Sequence, residues 1–154
     1  MNLVGWFCSL EGEWNLMRKI SDGSDFHGTG IFTRDQDDCL KLQEKGVMRL
    51  GSGEVFSASR IWVWSLELPA TLKIFYPETP RRLYHGVNLS GGSGSWNGCA
   101  SHLCGDDVYE GWYEFSGNRL SIQHHVRGPA KSYQMEAVYQ RRDVGFPESS
   151  PRTP

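Results

Sequence analysis

Apolar and polar residues alternate in short runs along nearly the whole chain, and turn-forming residues stop each run before a helix could form. A period of two puts alternate side chains on opposite faces of an extended strand. Ten such runs are expected as strands: 13–21, 28–34, 39–50, 55–66, 71–75, 83–89, 95–103, 107–115, 119–127 and 132–141. The gaps carry turn chemistry, as in Ser21-Asp22-Gly23-Ser24, Gly51-Ser52-Gly53, Pro77-Glu78-Thr79-Pro80 and Ser116-Gly117-Asn118. Most gaps are hairpin-sized, so consecutive strands should pair antiparallel, up and down. Many strands around one small core leave exposed edges unless the sheet closes on itself, and the expectation is therefore a single all-β barrel.

Only the start departs from this pattern. Leu3, Val4, Trp6, Phe7 and Leu10 recur at near-helical spacing, which predicts a short helical segment or lid. The barrel domain is expected to span 1–142, and the polar, Pro-rich stretch 143–154 (DVGFPESSPRTP) to be disordered. A length of 154 residues suits one such domain. The formal net charge is −2 and no basic run occurs, which argues against nucleic acid as a partner. No stretch of about 20 apolar residues exists to span a membrane. The opening MNLVGWFCSL lacks a positive segment followed by a long apolar one, so a cytoplasmic protein is expected, with Cys8, Cys39, Cys99 and Cys104 reduced. On that basis the sequon Asn88-Leu89-Ser90 is read as a chance match.

Several short motifs add a resemblance. Gly12-Glu13-Trp14 opens the first strand as the GxW signature of lipocalin-like barrels does, and Arg141 or Arg142, ending the last strand, would pack over that Trp. The motifs then run in order through Leu16-x-Arg18, Gly28-Thr29-Gly30-Ile31-Phe32, Leu40-x-Leu42-x-Glu44-x-Gly46, Arg60-x-Trp62-x-Trp64 and His85. They continue through His102-Leu103-Cys104-x-x-Asp107-x-Tyr109, Val126-x-Gly128-Pro129-x-Lys131-x-Tyr133 and Tyr139-Gln140-Arg141. From Gly12 to Arg141 the chain resembles the lipocalin-like (calycin superfamily) domain-of-unknown-function family 6314. It departs from that family's pattern at Leu42, where a Tyr is usual, and at Ser132, where an acidic residue is usual. The resemblance implies a calycin-type barrel and no particular activity.

The densest polar cluster is His102, Cys104, Asp107 and Tyr109. Alternation puts His102 and Cys104 on one face, and Asp107 and Tyr109 on one face across the Gly105-Asp106 bend. Such a hairpin can aim an imidazole, a thiol, a carboxylate and a phenol into one barrel end, as acid–base chemistry requires. The same groups can equally form a self-satisfied network that fixes register. Cys104 beside His102 is a weaker candidate nucleophile. Arg60 sits between Phe56, Ala58, Trp62 and Trp64 on one face, either snorkelling outside or serving as a pocket cation between aromatic walls.

Of His124 and His125, His124 shares a face with Leu120, Ile122 and Val126 and is the inward one. Glu44, on the apolar face of Leu40 and Leu42, requires a cation such as Arg18, Arg60 or Lys131. Lys131 either covers the barrel mouth or is solvated. Cys99, His102 and Cys104, with or without His85, are legitimate zinc ligands, but C-x2-H-x-C matches no common zinc motif and Cys99 falls on the opposite face. The stretch Gly91–Gly94 lacks the GK[ST] of a phosphate loop and is read as a flexible loop or lid.

The resulting expectation is a small-molecule-binding barrel. In its first form it is a cofactor-independent isomerase or cyclase acting on a small organic (secondary) metabolite, with His102, Asp107 and Tyr109 catalytic. Arg60, Trp62, Trp64, Glu44, His85, Cys104, His124 and Lys131 would contact the ligand, and no metal or cofactor is called for. The alternatives are a non-catalytic carrier or sensor of an apolar or carboxylated metabolite, and a haem- or metal-binding barrel. Beyond the ligand, a second copy of the chain is the one macromolecular partner admitted.

Overall fold

A computed structural model describes residues 2–142. A six-residue helix, α1 (Leu3–Cys8), precedes eleven strands. The first six are β1 (Gly12–Ile20), β2 (Asp25–Arg34), β3 (Leu40–Arg49), β4 (Val55–Glu67), β5 (Thr71–Phe75) and β6 (Leu83–Asn88). The remaining five are β7 (Ser90–Gly92), β8 (Ser95–Cys104), β9 (Asp107–Phe115), β10 (Arg119–Arg127) and β11 (Ser132–Arg141). The strands form one antiparallel sheet in the order β6-β5-β4-β3-β2-β1-β11-β10-β9-β8-β7. Chain neighbours are sheet neighbours, as the hairpin-sized gaps predict, except β6 and β7, and the one pairing between strands distant in the chain is β1 against β11, with Trp14 opposite Arg141.

The two outer strands of that order, β6 and β7, are consecutive in the chain with only Leu89 between them. One backbone thus belongs to both edges of the sheet and brings it almost full circle. Leu89 is itself held, its N–H donating to the Ala70 carbonyl at 2.8 Å. The stretch Gly91–Gly94, expected as a free loop or lid, is therefore partly sheet: Ser90, Gly91 and Gly92 pair with Asn97, Trp96 and Ser95. Sharp coiling of the long strands is needed to close the barrel, and Gly28 opposite Gly46 supplies it between β2 and β3. A Cβ on Gly28 would lie 2.0 Å from the Lys45 carbonyl oxygen, and one on Gly46 2.2 Å from that of His27.

The helix closes one end of the barrel. Asn2 caps it by accepting from the Gly5 N–H at 2.8 Å. Leu3, Trp6 and Phe7 are buried, and Trp6 stacks on Phe115 at 5.0 Å between ring centroids. Trp14 donates its indole N–H to the Leu10 carbonyl at 2.9 Å. Arg141 lies over the Trp14 ring at 4.2 Å and donates to the Ser9 carbonyl at 2.8 Å, so it, and not Arg142, is the Trp14 partner. Above this floor Trp14, Phe32, Trp64, Leu72, Leu120 and Tyr139 fill the lower half of the barrel. Among the described residues no helix is long and apolar enough to cross a membrane. The disorder expected for 143–154 concerns residues outside those described.

Candidate functional site

The end opposite α1 is open and leads into a cavity of about 650 Å³, within the size range of small-molecule sites. Its inner part is apolar, lined by Leu42, Trp64, Ile74, Ile122 and Ala137. Nearer the mouth the lining turns aromatic. Trp62, Tyr76 and Tyr84 contact one another with centroids 5.1 to 5.6 Å apart, and Tyr109 and Tyr133 join them. Arg60 reaches over the Trp62 ring at 5.4 Å. Among the described residues no carboxylate pairs with it, so its charge is left for solvent or a ligand.

One wall contains a buried ion pair. Glu44 is 1 % exposed, and Arg18 donates to both its oxygens, at 3.2 and 3.3 Å. The Tyr139 hydroxyl also donates to Glu44. Burial, reinforced by the Glu44 charge, holds the Tyr139 phenol well above its ordinary pKa, so it keeps its proton. Of the cations open to Glu44, the fold selects Arg18, although Arg60 is its cross-strand neighbour. Glu44 sits behind Arg18 and Tyr139, both of which line the cavity.

The facing wall carries a chain of three rings. The Tyr113 hydroxyl lies 2.5 Å from His85 Nδ1 and 3.5 Å from His124 Nε2, and His85 Nε2 lies 3.3 Å from the Tyr109 carbonyl oxygen. Burial pushes His85 down to about 4, opposed by the Tyr109 carbonyl and assisted by His102. Burial also pushes His124 down to about 3, with the charges of His85, Arg18 and Arg60 adding to it. Both imidazoles are therefore neutral near pH 7, and burial holds Tyr113 well above its ordinary range. Gly111 makes room for the convergence. A Cβ there would meet His85 Cε1 and Tyr113 Cε1 at 2.9 Å and His124 Cδ2 at 3.2 Å.

The hairpin of β8 and β9 places His102 opposite Tyr109 and Cys104 opposite Asp107, near the mouth. His102 is half-buried against Tyr84 and Tyr109, at 5.7 and 5.8 Å between centroids. Cys104 is exposed, and Asp107 packs against Gly128. Lys131 is exposed and donates to the Tyr109 hydroxyl at 2.9 Å. Of the residues singled out from the sequence, Arg60, Trp62, Trp64, Tyr109 and His124 line the cavity. Glu44 and His85 are buried one layer behind it, while His102, Cys104, Asp107 and Lys131 stand at the mouth hairpins outside the lining. Among the described residues no group of three His, Cys, Asp or Glu side chains is placed to hold a metal ion.

The sequence reading missed most of the tyrosines. Tyr113 was legible, because Tyr109, Gly111, Tyr113 and Phe115 share one face of β9. So was Tyr139, on the face of Tyr133, Met135 and Ala137 in β11. Tyr76 and Tyr84 flank an irregular turn and gave no periodic signal.

The barrel has solved counterparts. The crystal structure of Rv2717c from M. tuberculosis covers 92 % of this chain and 99 % of its own, at a TM-score of 0.65 and 13 % identity. That likeness shows a shared fold. A structure of EF1p2_mFAP2b bound to DFHBI covers 92 % of this chain and 100 % of its own, at a TM-score of 0.46 and 14 % identity. No curated protein matches the sequence. The family model of DUF6314 matches residues 10–141, the whole barrel, and the chain therefore belongs to this family of unknown function.

Proposed function

We propose that the barrel binds one small organic molecule in its open cavity, an apolar and planar body bearing an acidic group. The observation that carries this reading is Arg60, a guanidinium stacked on Trp62 at the mouth of an aromatic cavity and left without a carboxylate among the described residues. Arg60 is exposed at the mouth, and its charge-assisted hydrogen bond to an anionic group strengthens as the bound ligand's body displaces water from the aromatic wall beside it. The Gly12-x-Trp14 pair and Arg141 over Trp14 support placing the barrel among the calycins.

Native mass spectrometry of the purified protein tests the proposal, together with tryptophan fluorescence titration of whatever co-purifies. Binding should weaken roughly 10- to 100-fold in Arg60→Met, the loss expected for one hydrogen bond to a charged group. Equal affinity in wild type and Arg60→Met would overturn the anion assignment.

A second reading is conversion of the bound molecule by a cofactor-free isomerisation or cyclisation. The neutral His124–Tyr113–His85 chain favours it, since hydrogen-bonded neutral groups can relay a proton without leaving a buried charge. The mouth groups His102, Asp107 and Tyr109 are the catalytic candidates in this reading, and they require a substrate that reaches up to the hairpin. Recovery of the co-purified molecule unchanged after prolonged incubation supports carriage, and an isomer of equal mass with a new retention time supports conversion.

A further inference from the structure

The protons along the His85–Tyr113–His124 chain can be assigned one by one, starting from the backbone. A carbonyl oxygen only accepts, so His85 Nε2, facing the Tyr109 carbonyl, carries the ring's proton. Neutral His85 then offers a lone pair at Nδ1, and the Tyr113 hydroxyl donates its single proton there. With that proton spent, the Tyr113 oxygen can face His124 Nε2 only as an acceptor, so His124 holds its proton on Nε2. Its Nδ1 is left as a bare lone pair. No described residue hydrogen-bonds that nitrogen, and it is not sealed from solvent, so it stays open on a side chain that lines the cavity. One backbone carbonyl thus sets the tautomer of a histidine two rings away.

We infer that His124 Nδ1 is an obligate acceptor inside the cavity, and that the ligand class is a planar organic acid carrying a hydrogen-bond donor, such as a phenol, enol or amide N–H, apart from its acidic group. This rests on the binding reading above and deepens it: Arg60 selects the anion and His124 selects the donor. A ligand presenting only an ether or ketone oxygen there would set lone pair against lone pair in a desolvated wall, a repulsion water cannot relieve. Gly111 is part of the device, because any larger residue would push the three rings apart.

The test has two independent arms on the full chain. Long-range proton–nitrogen NMR of protein labelled with nitrogen-15 histidine at pH 7 should show His124 with Nδ1 unprotonated. Tyr113→Phe, which removes the link, should release His124 into a tautomer mixture while circular dichroism keeps the barrel signature. The second arm titrates two probes by fluorescence, 6-hydroxy-2-naphthoate and 6-methoxy-2-naphthoate. The hydroxy acid should bind roughly tenfold more tightly, and the gap should vanish in His124→Phe and shrink in Tyr113→Phe. A His124 protonated on Nδ1 overturns the acceptor assignment even if both probes bind. Equal affinity of the two probes overturns the donor requirement. A correct tautomer with neither probe binding at millimolar concentration overturns the binding reading, and the ligand class with it.

Discussion

Removing the carboxylate of Glu44 should show how much of the barrel's stability depends on one buried ion pair. The side chains of Arg18 and Glu44 are 15 % and 2 % exposed, and Tyr139 depends on the same carboxylate. Glu44→Leu strands the Arg18 charge in a wall of low dielectric. Breaking a buried pair typically costs about 3–5 kcal/mol. Arg18 borders the open cavity, where water can reach it, which places its share near the lower figure, about 3 kcal/mol. The orphaned Tyr139 hydroxyl adds about 1 kcal/mol. The sum of about 4 kcal/mol should lower the melting temperature by roughly 12–16 °C. The double variant Arg18→Met/Glu44→Leu removes both charges and leaves only the hydroxyl unpaired, so it should recover most of the loss and sit about 1–2 kcal/mol below wild type. Urea unfolding followed by tryptophan fluorescence measures all three, with unchanged slopes confirming a common unfolded state. The reasoning is refuted if the double variant is as unstable as Glu44→Leu, or if Glu44→Leu alone costs less than about 1 kcal/mol.

Gly111→Ala should cost about 1–3 kcal/mol by overpacking and scramble the His124 tautomer; an alanine variant of wild-type stability would mean the rings yield freely. His85 and His124 have folded pKa values of about 4 and about 3, below the ordinary 6.5, so the unfolded chain takes up those protons first as pH falls. Their contribution is therefore complete above 6.5 and lost progressively toward 4. Urea midpoints at pH 7 and pH 5 should differ more in wild type than in His85→Asn/His124→Asn, and equal differences would count against the neutral histidines. Arg141→Ala takes away the cation over Trp14 and the tie to the Ser9 carbonyl. It should loosen α1 and cost about 1–3 kcal/mol, read as faster hydrogen exchange at Trp6 and Leu10; unaltered exchange there would show that α1 is held without it.

The strands were legible where inward and outward residues alternate, as along Leu120, Ile122, His124 and Val126 or along Leu40, Leu42 and Glu44. β7 was not, since Ser90-Gly91-Gly92 offers one small polar side chain and two glycines, no apolar alternation, and its pairing with β8 is a backbone matter. β2 begins at Asp25, earlier than the pattern suggested, because Asp25 and Phe26 are drawn into register by Arg49 and Met48 on β3. At the site, alternation assigned faces but not depth. His102 and His124 both point inward, yet one stands at a mouth hairpin and the other in the wall, a difference fixed by strand tilt and register with neighbours. Partner choice was likewise invisible: Glu44 ignores its cross-strand neighbour Arg60 for Arg18, two strands away across β2. That choice leaves Arg60 without a carboxylate partner among the described residues.

The joint at Leu89 has a consequence for how the molecule can fail. A sheet whose two outer members are consecutive in the chain keeps its two edges side by side, which leaves a passing strand little room to extend either ladder. The protection is only as good as three pairings, Ser90–Asn97, Gly91–Trp96 and Gly92–Ser95. A proline in that triplet would remove pairing where the barrel is thinnest and separate its two edges, giving a second copy two ladders to extend.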